Sequence, residues 1–232
     1  MRDFRYAQFC PLARAAEILG ERWTLLALRE LLFGPQRFSD LRAGLPGVSS
    51  SVLAERLAHL EERGLVARRT LPPPAPAVVY ELTEAGRALR PAIAELARWG
   101  ARFLGPPQPG EQLTPRALRL GLHFLAKRGP VPERRYAFCA SDGASEERFA
   151  AVGGPEGTRI GPDEGPVDAR LWGHPFALAS LIAGALDPAA ALAGGAVRVE
   201  GDAARLADLP RLFDLQLSTG TGAAGSPTQE GR

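Results

Sequence analysis

The sequence has few of the residues that disulfide scaffolds, metal sites and membrane helices require. Its two cysteines, Cys10 and Cys139, lie far apart in the 232 residues, whereas disulfide scaffolds use several closely spaced cysteines. His59, His123 and His174 are isolated and show no metal-ligand spacing. No apolar run approaches the roughly 18 residues of a membrane helix, and the N-terminus lacks the continuous apolar region of a secretory signal. We therefore expect a cytoplasmic protein with no metal, no cofactor and no membrane partner.

Sequence motifs of catalysis are missing as well. The chain contains no G-x-S-x-G nucleophile motif and no H-E-x-x-H zinc motif, which are signatures of hydrolases and metalloproteases. The glycine pairs Gly153-Gly154 and Gly194-Gly195 lack the remaining pattern of a phosphate-binding loop. We therefore expect neither an enzyme nor a catalytic residue.

Lysine is nearly absent, and the charge is divided unevenly along the chain. Lys127 is the one lysine, so almost all positive charge comes from arginine. Residues 1–104 contain 15 Arg and 11 Asp or Glu, a net +4, and residues 105–232 contain 13 Lys or Arg and 15 Asp or Glu, a net −2. Abundant Ala, Gly and Pro indicate GC-rich coding bias, so the arginine content alone carries no argument. The basic excess in the N-terminal part agrees with a phosphate-binding surface there.

A central stretch of the chain has the order of elements of a winged helix-turn-helix. Leu53, Leu57 and Leu60 recur at the i, i+4, i+7 spacing of one apolar helix stripe. Pro46-Gly47 cannot continue a helix and so marks a turn before it. The predicted elements are a helix Phe38–Leu45, a helix Ser50–Arg63 capped by Ser49 or Ser50, and a hairpin of Leu65–Leu71 and Ala77–Leu82 with a proline-rich tip.

This order of elements fits duplex DNA. A helix has the width of the major groove, and its N-terminal N–H groups and small hydroxyls can meet phosphates or base edges. The expected DNA-contacting residues lie on the second helix away from the leucine stripe, before the motif and in the hairpin: Ser49, Ser50, Ser51, Val52, Glu55, Arg56, His59, Arg37, Arg68 and Arg69. The simpler alternative is a small helical core with a solvated polar face and an ordinary hairpin.

Three runs of the sequence resemble the HxlR-type transcriptional regulators, which are relatives of the MarR group. They are Cys10-Pro11, GERWTLLALRELLFGPQRFSDLRAGLPGVSSSVLAERLAHLEERGLV and VVYELTEAGRAL, within residues 8–103. The resemblance implies a homodimeric winged-helix repressor or activator that binds a pseudo-palindromic operator in double-stranded DNA. It also implies that Ser50–Arg63 is the recognition helix and Leu65–Leu82 the wing.

Cys10 has two interpretations. In some of the regulators that the chain resembles, a cysteine at this position senses redox state or electrophiles. The N–H groups of the helix that follows, and the nearby Arg14, would favour its thiolate. Alternatively, Cys10 is a small buried hydrophobic residue at the start of a helix. The predicted domain has no second cysteine to resolve an oxidised Cys10 within the chain.

The helices around the motif are expected to support it and to join two copies of the chain. Pro11–Leu19 and Glu21–Phe33 are predicted scaffold helices. A further helix, Glu84–Phe103, contains Pro91, which either bends the helix or marks a new first turn. This helix has an apolar face and no remaining element to cover it, so we expect dimerisation through it and the N-terminal segment. The dimer would set two recognition helices about one DNA turn apart.

A break rich in proline and glycine divides the chain after residue 104. Beyond it, short β-prone runs and helical segments predict an α+β layer. The predicted helices are Pro115–Lys127, Pro175–Leu186, Pro188–Ala193 and Ala203–Leu215, and the strands are Arg134–Ala140, Arg148–Val152, Val167–Trp172 and Ala196–Glu200. The predicted organisation, mostly α with small β, is a winged helix-turn-helix domain over residues 1–104, a linker over 105–112, an α+β domain over 113–217 and a disordered tail over 218–232.

Residues 113–215 resemble the lipid-binding domain of the sterol carrier protein type-two family, most clearly in the run GALDPAAALAGGAVRVEGD. The resemblance implies an apolar tunnel between sheet and helices. The residues expected to line it, which would equally fill an ordinary core, are Leu178, Leu181, Ile182, Leu186, Leu192 and Phe213. A tunnel would admit an apolar effector, a fatty acyl, polyketide or sterol-like molecule, that shifts the dimer between DNA-competent and incompetent forms.

The sequence thus predicts a dimeric DNA-binding transcriptional regulator with a C-terminal sterol-carrier-like domain. The main alternative is a carrier of lipids or small molecules whose N-terminal domain is a protein-interaction module. One measurement separates them, because only the regulator gives a saturable, salt-sensitive gel shift with DNA.

Overall fold

The computed structural model describes residues 5–72 and 77–215, and the chain folds into two compact units. The first unit comprises residues 1–97 and 114–124, and the second comprises residues 98–113 and 125–232. The predicted disordered tail and most of the predicted proline-rich hairpin tip lie outside the described residues. Within the described ranges, every helix is too short or too polar to cross a membrane.

The first unit is a winged helix-turn-helix. In chain order the elements are α1 (Pro11–Leu19), α2 (Thr24–Leu31), β1 (Gln36–Arg37), α3 (Phe38–Ala43), α4 (Ser50–Glu62), β2 (Val66–Thr70), β3 (Val78–Leu82), α5 (Glu84–Arg87), α6 (Arg90–Ala101) and α7 (Pro115–Leu125). Residues 98–101 of α6 and Leu125 of α7 fall in the second unit. The strands form one antiparallel sheet in the order β1-β3-β2. The sequence analysis did not predict β1, which is only two residues long and extends the wing hairpin on its β3 side.

The leucine stripe of α4 lies at the centre of the first unit. Leu53, Leu57 and Leu60 are 0%, 1% and 0% exposed, and they pack in one cluster with apolar residues of α2, α3, α6 and the hairpin. Burial of apolar surface contributes about 25 cal/mol per Å², so this stripe attaches α4 firmly to its scaffold. The opposite side of α4 is left for other contacts.

Residues 84–103 form two helices instead of the single helix that was predicted. α5 ends at Arg87 and α6 begins at Arg90. Pro91 lies in the first turn of α6, where a missing N–H removes no helical hydrogen bond. Of the two effects expected of this proline, the new first turn is the one observed.

α7 packs within the first unit, which corrects the domain boundaries predicted from the sequence. That prediction placed the helix in the second domain, after a linker at residues 105–112. In the structure Arg116 bonds to the buried Glu30 of α2, and Phe124 belongs to the core cluster around α4. An amphipathic pattern predicts a helix, but it does not say which core the apolar face covers.

The second unit is an α+β domain built on a five-stranded sheet of order β6-β5-β4-β7-β8. Its strands are β4 (Arg135–Ser141), β5 (Glu146–Val152), β6 (Arg159–Gly161), β7 (Ala169–Gly173) and β8 (Val197–Gly201), and its helices are α8 (Pro175–Ile182), α9 (Pro188–Ala193) and a 3-10 helix (Ala203–Leu212). β4 and β7 are parallel, and the other neighbours are antiparallel. Phe138, Phe149 and Leu171 are fully buried on one sheet face. The short β6 was not predicted.

Candidate nucleic-acid interface

The N-terminus of α4 is capped and exposed. Ser49 Oγ accepts a hydrogen bond from the Val52 N–H at 3.3 Å, which satisfies one of the free N–H groups of the first turn. Ser51 Oγ lies 3.1 Å from Ser49 Oγ, and Arg42 Nη1 of α3 donates to Ser50 Oγ at 3.0 Å. Three hydroxyls and a guanidinium therefore meet at the positive end of the helix dipole, where an anion is favoured.

The exposed side of α4 is lined mainly by small side chains. Its exposed residues are Ser50, Ser51, Ala54, Glu55, Ala58 and Glu62. Ala54 and Ala58 are not among the residues predicted to contact DNA, although their distances of three and seven residues from Ser51 put all three on one helix face. Arg42 is not among them either, because no periodicity within α4 can indicate a neighbour contributed by α3.

Arg56 and His59 are both buried, whereas the sequence predicts His59 on the face away from the leucine stripe and Arg56 on the flank of that face. Arg56 is 7% exposed and lies 3.5 Å from Glu21 and 3.4 Å from Glu55. His59 is 4% exposed, and its ring nitrogens have no hydrogen-bond partner among the residues that the structure describes. Val52 is half-buried and packs against the core. The core extends further around one flank of the helix than the leucine stripe indicates.

The wing carries the predicted arginines on both faces of its sheet. Arg37 and Arg69 are the cross-strand neighbours of Val79, so the three side chains share one face. Arg69 forms an ion pair with Glu81 at 3.1 Å, which offsets part of its charge. Arg68 is exposed and lies 5.7 Å from the centroid of the Tyr80 ring on the other face.

Both cysteines are free thiols. Cys10 is half-buried at the start of α1 and forms a shallow pocket with Phe9, Pro11 and Arg14. The Arg14 guanidinium is bound to Glu17 at 2.5 Å, so its charge is already engaged. Because α1 buries none of its residues, this segment is accessible. Cys139 is buried in β4, and burial raises the pKa of its thiol.

Large apolar side chains are exposed on two segments outside α4. In the N-terminal segment and α1 they are Tyr6, Phe9 and Leu12, and in and after α6 they are Leu96, Trp99, Phe103 and Leu104. Trp99 and Phe103 are 59% and 68% exposed, and their rings are in edge contact at 4.8 Å. An accumulation of exposed aromatic and aliphatic side chains is typical of a surface that another molecule covers.

The residues expected to line a tunnel in the second unit divide into two groups. Leu178, Leu181, Ile182 and Phe213 are buried at 0%, 2%, 0% and 4% exposure, and Leu186 is half-buried. Leu192 is 36% exposed, so the structure does not bring it into this interior. Among the described residues, no group of three or more His, Cys, Asp or Glu side chains could hold a metal ion.

Comparison with known proteins identifies both parts of the chain. Residues 18–108 match the family model described as HxlR-like helix-turn-helix. Residues 148–214 match the model of the SCP-2 sterol transfer family.

Two curated relatives from Bacillus subtilis (strain 168) are HTH-type transcriptional regulators. YvaP is 40% identical over 101 residues, which are 43% of this chain and 94% of YvaP. YodB is 39% identical over 98 residues, which are 42% of this chain and 88% of YodB. The solved structure of the reduced form of YodB is 37% identical with a TM-score of 0.38, and the match covers 44% of this chain and all of that chain.

Proposed function

The chain belongs to the HxlR-like helix-turn-helix family, and from this premise we propose that it is a cytoplasmic transcriptional regulator, without catalytic activity, that binds double-stranded DNA. It acts as a homodimer on a pseudo-palindromic operator. Each copy places α4 in the major groove and the β2–β3 hairpin over the neighbouring sugar-phosphate backbone. A homodimer matches the two-fold symmetry of such an operator.

The observation that carries this proposal is the contrast between the two sides of α4. The leucine side is almost completely buried, whereas Ser51, Ala54 and Ala58 are exposed. At the N-terminus of the same helix, the Ser49, Ser50 and Ser51 hydroxyls and the Arg42 guanidinium lie together. In a major groove, the serine hydroxyl and the alanine methyl groups on this side could contact base edges and thymine methyl groups.

The side chains of α4 and the wing suit different parts of DNA. Ser51 can donate to or accept from a base edge, Ala58 can contact a thymine methyl group, and Glu55 can accept from cytosine N4. Arg42 and Arg68 can contact phosphates, which supply affinity and position without reading sequence. Base readout therefore belongs to α4, and backbone contact belongs to its N-terminus and the wing.

The exposed apolar residues of α1 and α6 support the homodimer. Side chains such as Trp99 at 59% exposure and Leu12 at 77% exposure gain free energy when a second copy removes them from water. We assign the dimer interface to α6 and the N-terminal segment.

The second unit is proposed to bind an apolar effector. Its support is the match of residues 148–214 to the SCP-2 sterol transfer family, together with the buried apolar side chains of α8. An effector changes DNA affinity only if it binds the DNA-competent and incompetent forms unequally. Native mass spectrometry of the purified protein would reveal a retained lipid as added mass, and delipidated protein should regain that mass with a fatty acid.

Selection of a duplex from a random library, followed by fluorescence anisotropy at several salt concentrations, tests DNA binding. We expect saturable binding to the selected duplex with a Kd of about 10⁻⁸ to 10⁻¹¹ M. Arg68→Ala should weaken binding to the selected and to the random duplex equally. It should also lower the slope of log affinity against log salt concentration by about one. The matched control is Arg211→Ala, which removes an exposed arginine from the second unit. Binding that is neither saturable nor salt-sensitive would refute the proposal and favour a carrier.

A further inference from the structure

Glu30 is a carboxylate buried inside the first unit. It lies in α2 with 1% of its surface exposed, and a charge at that depth requires compensating partners. Arg29 supplies one, with Nη2 2.7 Å from Glu30 Oε1. Arg116 of α7 supplies the other, with Nε 2.8 Å from Glu30 Oε2 and Nη2 3.3 Å from the Glu30 carbonyl oxygen. Two guanidinium groups from distant parts of the sequence therefore hold one carboxylate.

The Glu30 carboxylate also lies against the turn between α3 and α4. Arg29 Nη2 donates to the Gly44 carbonyl at 3.4 Å in addition to its ion pair. A Cβ atom on Gly44 would lie 2.8 Å from Glu30 Oε2. Gly44 has a φ of −73°, which alanine also adopts without strain. An alanine here would therefore have to displace the Glu30 carboxylate, although the backbone angle would accept it.

Aromatic contacts hold α7 in the same unit. The Phe33 ring lies 5.7 Å from the Phe124 ring and 4.4 Å from the His123 ring. Phe124 is 4% exposed within the core cluster. α7 is thus fixed at its first turn by Arg116 and at its last turn by Phe124, so the guanidinium of Arg116 is held at a defined place.

We propose that Arg116 is a positioning residue for DNA recognition: through Glu30 it fixes the α3–α4 turn and hence the orientation in which α4 meets the bases. The inference rests on the proposed function. It adds to the DNA-binding unit a segment that lies beyond the region matched by the helix-turn-helix family model, which ends at residue 108.

Loss of Arg116 leaves Glu30 with one cationic partner in a buried site. A buried charge in that state draws in water or moves toward solvent. Either change alters the space beside Gly44, and the turn gains freedom. Base readout needs side chains placed within about 0.5 Å, whereas phosphate contact tolerates more variation. Recognition of a specific sequence therefore suffers more than binding to DNA in general.

Hydrogen–deuterium exchange of the full-length protein tests the structural step directly. The backbone N–H groups of Gly44, Leu45 and Val48 form hydrogen bonds of 2.9, 3.2 and 3.1 Å within the turn. In Arg116→Ala we expect them to exchange at least about fivefold faster than in wild type. Arg116→Lys should restore part of the protection, because an ammonium replaces the charge but not both hydrogen bonds. The control Arg211→Ala should leave the turn unchanged.

DNA binding of the same variants tests the functional step, with the duplex selected by the wild-type protein and a random duplex. Positioning by Arg116 predicts a loss of about tenfold or more for the selected duplex and little change for the random one. An equal loss on both duplexes would mean that Arg116 acts only through its charge, and would overturn the inference. Wild-type protein that binds neither duplex would refute the proposed function, while the exchange measurement would still decide whether Arg116 fixes the turn.

Gly44→Ala approaches the same contact from the turn and leaves Arg116 in place. Its methyl group would displace the Glu30 carboxylate, so the same amides should exchange faster and the selected duplex should bind less tightly. This variant keeps the inference falsifiable if Arg116→Ala fails to fold. Folded variants, judged by circular dichroism, whose turn amides exchange at the wild-type rate would overturn the inference.

Discussion

Arg56 is a charged side chain that serves the fold, although it lies on the proposed recognition helix. It is 7% exposed and lies 3.5 Å from Glu21 and 3.4 Å from Glu55. Removal of such a residue leaves Glu21 without this ion-pair partner and opens space at the core boundary. We therefore assign Arg56 to stability and assign base contact to the small residues on the exposed side.

Arg56→Ala and Ala58→Glu should separate these two roles. We expect Arg56→Ala to lower the free energy of unfolding by about 1–3 kcal/mol. Ala58→Glu should leave stability within about 0.5 kcal/mol and should reduce DNA affinity at least about tenfold, because it places a carboxylate near phosphates. Chemical denaturation and anisotropy measure the two effects. A stable Arg56→Ala variant with lost sequence preference would restore the original assignment.

His123 should make the stability of the protein depend on pH below neutrality. Burial lowers the pKa of its imidazole from the ordinary 6.5, assisted by the positive Arg119 and Arg90, while a hydrogen bond to the Arg119 carbonyl opposes the change. The unfolded chain therefore binds a proton at a higher pH than the folded protein does. The stabilising contribution of neutral His123 is fully present above pH 6.5, and it is lost as the pH falls through the lowered pKa of His123 in the folded protein.

The pH effect can be measured by thermal unfolding between pH 5 and pH 8. Wild type should lose stability on acidification to a greater extent than His123→Gln, whose side chain does not titrate. Parallel pH profiles for the two proteins would contradict the assignment to His123.

The sequence predicts the burial of a residue best where the helical period alone determines it. Leu53, Leu57 and Leu60 have the helical period and are buried as expected. Arg56 and His59 are buried at 7% and 4% exposure, and Arg56 reaches Glu21 in the loop before α2. Periodicity gives the direction of the core but not its width, so Arg56 and His59 are buried while Ser51 and Glu55 are exposed as predicted.

At the scale of elements, the join between α5 and the wing depends on a close approach at Gly86. A Cβ atom there would lie 2.1 Å from the Leu65 carbonyl oxygen, and backbone cannot move aside as a side chain can. Gly100 in α6 offers the matched comparison, because an added Cβ would have no neighbour within 4 Å.

Gly86→Ala should destabilise the protein by at least about 2 kcal/mol, since α5 must separate from the hairpin. Gly100→Ala should stabilise it by about 0.5–1 kcal/mol, because alanine favours the helix interior. Thermal or urea unfolding measures both. Equal effects of the two substitutions would show that close packing at Gly86 is unimportant.

Elements with strong local signals were predicted well, and those formed by distant partners were not. α1 and α9 have the predicted limits, because proline starts each helix and glycine follows it. β1 and β6 contain two and three residues and exist only because a neighbouring strand pairs with them. Such short strands have no periodicity of their own.

At the scale of the whole molecule, Trp99→Glu should weaken the proposed homodimer. A carboxylate replaces an aromatic side chain that is 59% exposed beside Phe103, and its burial against a second copy would cost several kcal/mol. We expect the dissociation constant of the homodimer to rise at least about 100-fold, as measured by sedimentation. Leu192→Glu, at an exposed position of the second unit, is the control. Unchanged dimers of the Trp99 variant would place the interface elsewhere.

The sequence predicts both kinds of fold, the winged helix-turn-helix and the α+β domain, but it does not predict that α7 packs within the first unit. Local composition distinguishes the winged helix from the α+β part, because the hydrophobic patterns before and after the proline- and glycine-rich break differ. It cannot show that Arg116 reaches Glu30, since the two residues are 86 positions apart and each looks like an ordinary surface charge. Only the packed structure reveals that pair.

The position of α7 also limits how such proteins can be assembled by genetic exchange. Recombination at the proline-rich break would give one product a DNA-binding part without a core helix and the other a helix whose apolar side has lost its cover. A viable crossover must carry the segment up to residue 124 together with the winged helix. Exchange of the second unit therefore requires a junction after residue 124, which is later than the composition indicates.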